Sequence, residues 1–145
     1  MKILERGAGI KMWKGAAAVC LDEEGRLLMV LQGTPEEEKK WAVPSGGKEA
    51  GETFESCCLR ELKEETGYEG KVLRPLFVKS DGAVEVRYFE VAITGGRMEI
   101  CDPDELIHEI GWKEKEEVGT LELSFPEDRP FLLSLFGEAA PSQTV

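Results

Sequence analysis

The chain has 145 residues, 41% hydrophobic and 32% charged, which suits one globular domain, residues 1–145, with a core of its own. Its formal net charge is -11, from 29 acidic and 18 basic residues, and this argues against DNA or another nucleic-acid backbone as the main partner, because phosphate contacts need clustered Lys and Arg. Nucleotides stay open as ligands, since a bound cation inverts the local field where acidic side chains converge.

In chain order, residues 15–21 form an apolar run suited to a buried strand. The run is too short to span a membrane and ends at Asp22-Glu23-Glu24 with no cleavage-site pattern, so neither a signal peptide nor a membrane anchor is expected. After a turn at residues 22–25, residues 26–32 supply a second strand, and the two read as a hairpin. Residues 33–40 (GTPEEEKK) are a polar loop, and residues 41–43 a short strand leading into the turn Pro44-Ser45-Gly46-Gly47. A helix follows over residues 53–66 and stops at Gly67, a residue suited to the C-terminal cap. Phe54, Cys58 and Leu62, widened by Leu59, make its apolar stripe. Cys57, Arg60, Glu61 and Glu64 lie round the other side with Glu65 at the edge.

Residues 72–79 and 84–94 are strands about a turn at Ser80-Asp81-Gly82. Gly95-Gly96 marks another turn and residues 101–105 a loop. A short strand at 109–112, a short helix at 113–118 and a helix at 127–136 with Pro130 in its first turn complete the chain, and residues 140–145 are expected to fray. Trp41 is expected in the core, as are Phe77, Tyr88 and Phe89 on their strands. The four cysteines form no CxxC pair and the single His108 completes no zinc pattern, so reduced thiols in a cytoplasmic protein are expected.

The chemistry concentrates in residues 46–68. Glu61, Glu64 and Glu65 fall within about one helical turn, on one face, and three like charges there repel one another unless a cation intervenes. Hard divalent cations such as Mg2+ take oxygen ligands and are held by a few carboxylates together with substrate phosphates. Gly46 and Gly47 permit a sharp turn and close backbone approach, and Glu52 stands just before the helix.

This segment, GGKEAGETFESCCLRELKEETGY, resembles the Nudix box, G-x5-E-x7-R-E-U-x-E-E-x-G-U with U a bulky aliphatic residue. Gly46, Glu52, Arg60, Glu61, Leu62, Glu64, Glu65 and Gly67 match, and Tyr68 stands where the family prefers an aliphatic side chain. The lead-in Trp41 to Gly47 is also similar to that family. The resemblance implies an α/β fold, an α/β/α sandwich with a mixed β-sheet. It implies metal-dependent hydrolysis, with Mg2+ or Mn2+, of a pyrophosphate bond in a nucleoside diphosphate linked to another moiety: a nucleoside triphosphate, ADP-ribose, a sugar nucleotide or a dinucleoside polyphosphate. Under it, Glu61, Glu64 and Glu65 are the metal ligands and Arg60 orients the following glutamate. Glu61 acts catalytically either as a ligand or as the base that takes a proton from attacking water, while Gly46, Gly47 and Glu52 border the phosphates. A further carboxylate from a downstream loop is expected; Asp104, Glu105, Glu109 and Glu85 are candidates, with Glu105 preferred. A non-catalytic nucleotide sensor and an enzyme acting on RNA 5′ ends are the alternatives, and a homodimer is compatible by resemblance alone.

Overall fold

A computed structural model describes residues 12–137. The first strand, β1 (Trp13–Val19), organises the rest: from Gly15 onward it is buried on both faces, and its alanines let other elements approach closely. Alternation along the strand sorts the core into two halves. Ala16, Ala18 and then Cys20 pack with Cys57, Cys58 and Leu62 of helix α1 (Phe54–Thr66). Ala17 and Val19 pack on the other side with Val118 of α2 (Lys115–Thr120) and Leu132 of α3 (Arg129–Gly137). The expected α/β/α layering follows from this two-sided burial. Removing Leu62 by substitution to alanine would cost on the order of 2–5 kcal/mol, because it is fully buried.

Two sheets form the middle layer. β4 (Ser45–Gly47), β1, β6 (Val84–Gly96) and β5 (Tyr68–Ser80) make one, in the order β4-β1-β6-β5; β1 and β6 run parallel and the other pairs antiparallel, so the sheet is mixed. β3 (Lys40–Ala42), β2 (Leu27–Gln32) and β7 (Ile107–Lys113) make the other, in the order β3-β2-β7. The expected hairpin of residues 15–21 and 26–32 is therefore corrected. β1 is already flanked by β4 and β6, and it meets β2 only at its exit, through a Leu21–Leu27 bridge and a 3.0 Å hydrogen bond from Leu28 N to Cys20 O.

Helix α1 begins where the sequence predicts. Thr53 and Ser56 cap each other reciprocally, with Ser56 N donating to Thr53 Oγ1 at 3.0 Å. It ends at Gly67, whose φ of 83° lies in the left-handed region. A Cβ there would strike backbone atoms of Arg97 and Glu99. Cys57, expected on the open side of α1, is fully buried, because β4 covers that side; its thiol donates to Gly46 O at 3.6 Å. The final helix is preceded by a 3-10 turn, Pro126–Asp128, rather than starting at 127. Residues 140–145, expected to fray, lie outside the described residues. No helix among the described residues is long and apolar enough to cross a membrane.

Candidate active site

The turn at β4 and the exposed side of α1 meet at Gly46. A Cβ on Gly46 would collide with the Glu61 carboxylate, so the absence of a side chain there is what lets the glutamate lie against the strand. Arg60 locks this junction. Its Nε and Nη2 donate to the two oxygens of Glu52 at 2.5 and 2.9 Å, Nη2 also donates to Gly47 O at 2.9 Å, and Nη1 donates to Glu61 Oε2 at 2.9 Å. Glu64 is more distant from the same nitrogen, at 3.4 Å. The fork of the guanidinium holds Glu52 in a bidentate pair, which a lysine would not reproduce. Hydrogen bonds from Arg60 hold the Glu52 carboxyl down at about 2. Glu52 is therefore committed to the arginine, a role that neither its helix-terminal position nor its candidacy as a phosphate neighbour suggested.

Glu61 and Glu65 face a cleft of about 530 Å³, together with Gly46, Gly47 and Asp102. Burial pushes the Glu61 carboxyl up to about 7, opposed by Arg60 and reinforced by Glu64. Glu65, only 7% exposed, is pushed well above the usual carboxylate range by burial and then by the charge of Glu61; Ser45 N donates to its Oε1 at 3.2 Å. Glu64 stands at the rim, a third exposed, and does not line the cleft.

The downstream carboxylates sort themselves by backbone geometry. The loop after β6 is tied to α1 by hydrogen bonds from Glu99 N to Thr66 O at 2.8 Å and from Cys101 N to Glu64 O at 3.0 Å. This delivers Asp102 and Asp104 to the cleft. Asp102 accepts from the backbone of Asp104, Leu106 and Ile107, and its charge is felt at both Glu61 and Glu65. Glu105, the preferred choice from sequence, is exposed on the same turn at φ 59° and does not line the cleft. Glu85 pairs with Arg87 at 2.8 Å and Glu109 is exposed on β7; neither lines the cleft. His108 contacts Gly33 O at 2.9 Å, bracing the loop at residues 33–40. Trp41 is in the core, as expected.

The donor set suits a hard cation: two confined carboxylates whose ionised forms are destabilised by burial and by neighbouring carboxylates gain from a positive charge between them. Among the described residues, no three His, Cys, Asp or Glu side chains are gathered closely enough to hold a metal unaided. The fit is therefore to a cation that takes further oxygens from water or from a phosphate. Asp102 had a signal in the sequence that passed unused: an Asp-Pro-Asp turn in a loop whose partners are set by the end of α1.

A model of the NUDIX domain matches residues 11–135. The chain is similar to the putative nudix hydrolase 1 of Caenorhabditis elegans, 38% identical over 94 residues, which covers 62% of this chain and 26% of that protein. It is also similar to the 8-oxo-dGDP phosphatase NUDT18 of Mus musculus, 34% identical over 97 residues, 66% of this chain and 30% of that protein. The matches span less than a third of the length of these two curated relatives. Among solved structures, an ADP-ribose pyrophosphatase of Streptococcus suis superposes with a TM-score of 0.70 at 18% identity, covering 90% of this chain and 92% of that one, a likeness of fold. With the domain match running through β1, the box and α3, the chain belongs to the Nudix family.

Proposed function

We propose that this chain hydrolyses a pyrophosphate bond in a nucleoside diphosphate linked to another moiety. The observation that carries the reading is the junction at Gly46, where a side-chain-free strand lets Glu61 lie against β4 while Arg60 clamps it from the other side. Glu61 and Glu65 in the cleft, with Glu64 at its rim, would hold Mg2+ or Mn2+ together with oxygens from water or phosphate. When bound, such a cation offsets charge on phosphoryl oxygens and acidifies water. Glu61 acts either as a ligand of that cation or as the base that takes a proton from the attacking water. Arg60 keeps that carboxylate in one orientation, and Gly46 and Gly47 line the cleft where the phosphates would lie. Asp102 adds negative charge beside the Glu61–Glu65 pair and so strengthens cation binding.

Similarity to an 8-oxo-dGDP phosphatase and to an ADP-ribose pyrophosphatase makes oxidised nucleotides and ADP-ribose the first substrates to test. Cytoplasmic residence fits the free cysteines, of which Cys20, Cys57 and Cys58 are buried. The test is 31P NMR of reactions with nucleoside di- and triphosphates, ADP-ribose, sugar nucleotides and dinucleoside polyphosphates, each with Mg2+, Mn2+ or EDTA. Metal-dependent conversion of one class to phosphomonoesters or orthophosphate is expected. Persistence of every substrate under both metals would overturn the proposal, and nucleotide binding without turnover would favour a sensor.

A further inference from the structure

Beyond the junction at Gly46 the cleft runs between two loops, residues 33–40 and 101–106. The loops are tied to each other: Gly33 N donates to Leu106 O at 3.0 Å, and His108 Nε2 meets Gly33 O at 2.9 Å. Glu37, Glu38 and Asp104 line the cleft from these loops, and all three are exposed. Lys40, half-buried at the start of β3, supplies the one ammonium among the described residues of the lining.

These acids differ from the pair at Glu61 and Glu65. Asp102, at the inner end of its loop, is spent on three backbone N–H groups, and Glu37 accepts from Thr34 N at 2.8 Å. The carboxylates of Glu38 and Asp104 have no hydrogen-bond or salt-bridge partner among the described residues. They brace nothing, yet they face a space that must admit a polyanion. Where a fold receives several phosphates it commonly meets them with Arg and Lys. Here, apart from the Glu61–Glu65 pair, the lining carries four carboxylates and one ammonium. A further phosphate would meet like charge with little to offset it, whereas an uncharged group would not.

The neutral part of the lining suits such a group. Gln32 Nε2 donates to Ser124 Oγ at 3.2 Å, which steadies both side chains and leaves the amide oxygen and the hydroxyl hydrogen for other partners. Leu106 and Ile107 add a short aliphatic wall. Sugar hydroxyls donate to carboxylates and accept from hydroxyl and ammonium groups, while the C–H face of the ring packs on aliphatic carbon.

We propose that this end of the cleft selects the group attached to the diphosphate by its charge. It takes a sugar, whose hydroxyls donate to Glu38 and Asp104, and it disfavours a further phosphate. Nucleoside diphosphate sugars, ADP-ribose included, are then the substrates, ahead of nucleoside triphosphates and dinucleoside polyphosphates. The proposal rests on the hydrolase reading above.

The test compares kcat/KM for ADP-glucose and ADP-ribose with that for ATP, and for UDP-glucose with that for UTP, so that the base does not decide the result. The sugar-linked member of each set should lead by at least about tenfold. Glu38→Gln combined with Asp104→Asn, both at exposed side chains, should raise kcat/KM for the triphosphates about tenfold and lower it for the sugar conjugates about threefold. Added NaCl at about 0.5 M should shrink the wild-type preference about threefold, a response that a merely structural role would not give. Triphosphates turned over as well as sugar conjugates, or a preference unmoved by the double variant, would overturn the proposal and leave the hydrolase reading standing. Calorimetric binding of ADP-glucose and ATP in EDTA separates the two readings. Binding that favours ADP-glucose and loses this preference in the double variant, in a chain that hydrolyses neither with Mg2+, would uphold the selection by charge and overturn the hydrolase reading. Absence of both binding and hydrolysis would overturn both.

Discussion

The two sides of Ser45–Gly46 are built on different plans. On the cleft side, the side-chain partners of Arg60 are Glu49, Glu52, Glu61 and Glu64, all within eleven residues, and its backbone partner Gly47 is thirteen away. On the other side, Asp128 is held by Tyr88 and Lys79, forty and forty-nine residues away. One side is wired within a single segment of chain, so its chemistry travels with a local spacing of residues. The other exists only once the β5–β6 hairpin meets the 3-10 turn.

The sharpest way to break the comparison is to disturb the local side alone. Gly46→Ala puts a methyl group where the Glu61 carboxylate lies, and kcat should fall about 100-fold. Loss of less than tenfold would show that Glu61 moves aside without consequence and that the close approach is incidental. Arg60→Lys keeps the charge but loses the fork on Glu52, and kcat should fall about tenfold, as measured on the best substrate at saturation. An unchanged kcat would mean that a point charge suffices.

Stability sharpens the contrast further. Because burial raises the folded Glu61 carboxyl from its usual 4.5 to about 7, the folded chain holds a proton in that window that the unfolded chain releases. Metal-free protein should therefore lose stability as pH rises from about 4.5 to 7, by on the order of 3 kcal/mol, with Glu65 contributing in the same direction. Denaturant melts in EDTA across this range should show the decline, and Glu61→Gln should make it shallower; a flat wild-type profile would contradict the burial argument. Glu52, held low, opposes this trend only in acid, where its contribution is lost as pH falls from 4.5 through about 2. On the distant side, Tyr88→Phe leaves an oxygen of buried Asp128 without its donor. It should cost about 1–2 kcal/mol in the same melts while kcat stays within twofold. A tenfold fall in kcat would join the two sides into one machine.

The same contrast explains what could be read from residues alone. Helix α1, its cap at Gly67 and the carboxylates on its open side follow from spacing within twenty-three residues, and they carried the family resemblance with them. The two-sided burial of β1 was hinted at by its unbroken apolar run, but its neighbours were not, because they come from residues 45–47 and 84–96 and displace β2 into another sheet. Cys57 looked available by helical phase and is buried because β4, not a helix neighbour, covers it. Glu105 and Asp102 are indistinguishable as loop acids in the sequence. A left-handed residue at 105 and the tie from Cys101 to α1 decide which of them reaches the cleft. Lys79 and Phe125 carry no local pattern at all, and only the hairpin's contact with the 3-10 turn brings them together.

The carboxylate seated against Gly46 is the group we propose to do the chemistry. The most direct test is the turnover of Glu61→Gln beside the wild type, at saturating substrate and Mg2+, with circular dichroism to establish that the fold is kept. A loss of at least about 100-fold in kcat with an unchanged spectrum is the predicted result. A folded variant that turns over within a few-fold of the wild type would contradict the account.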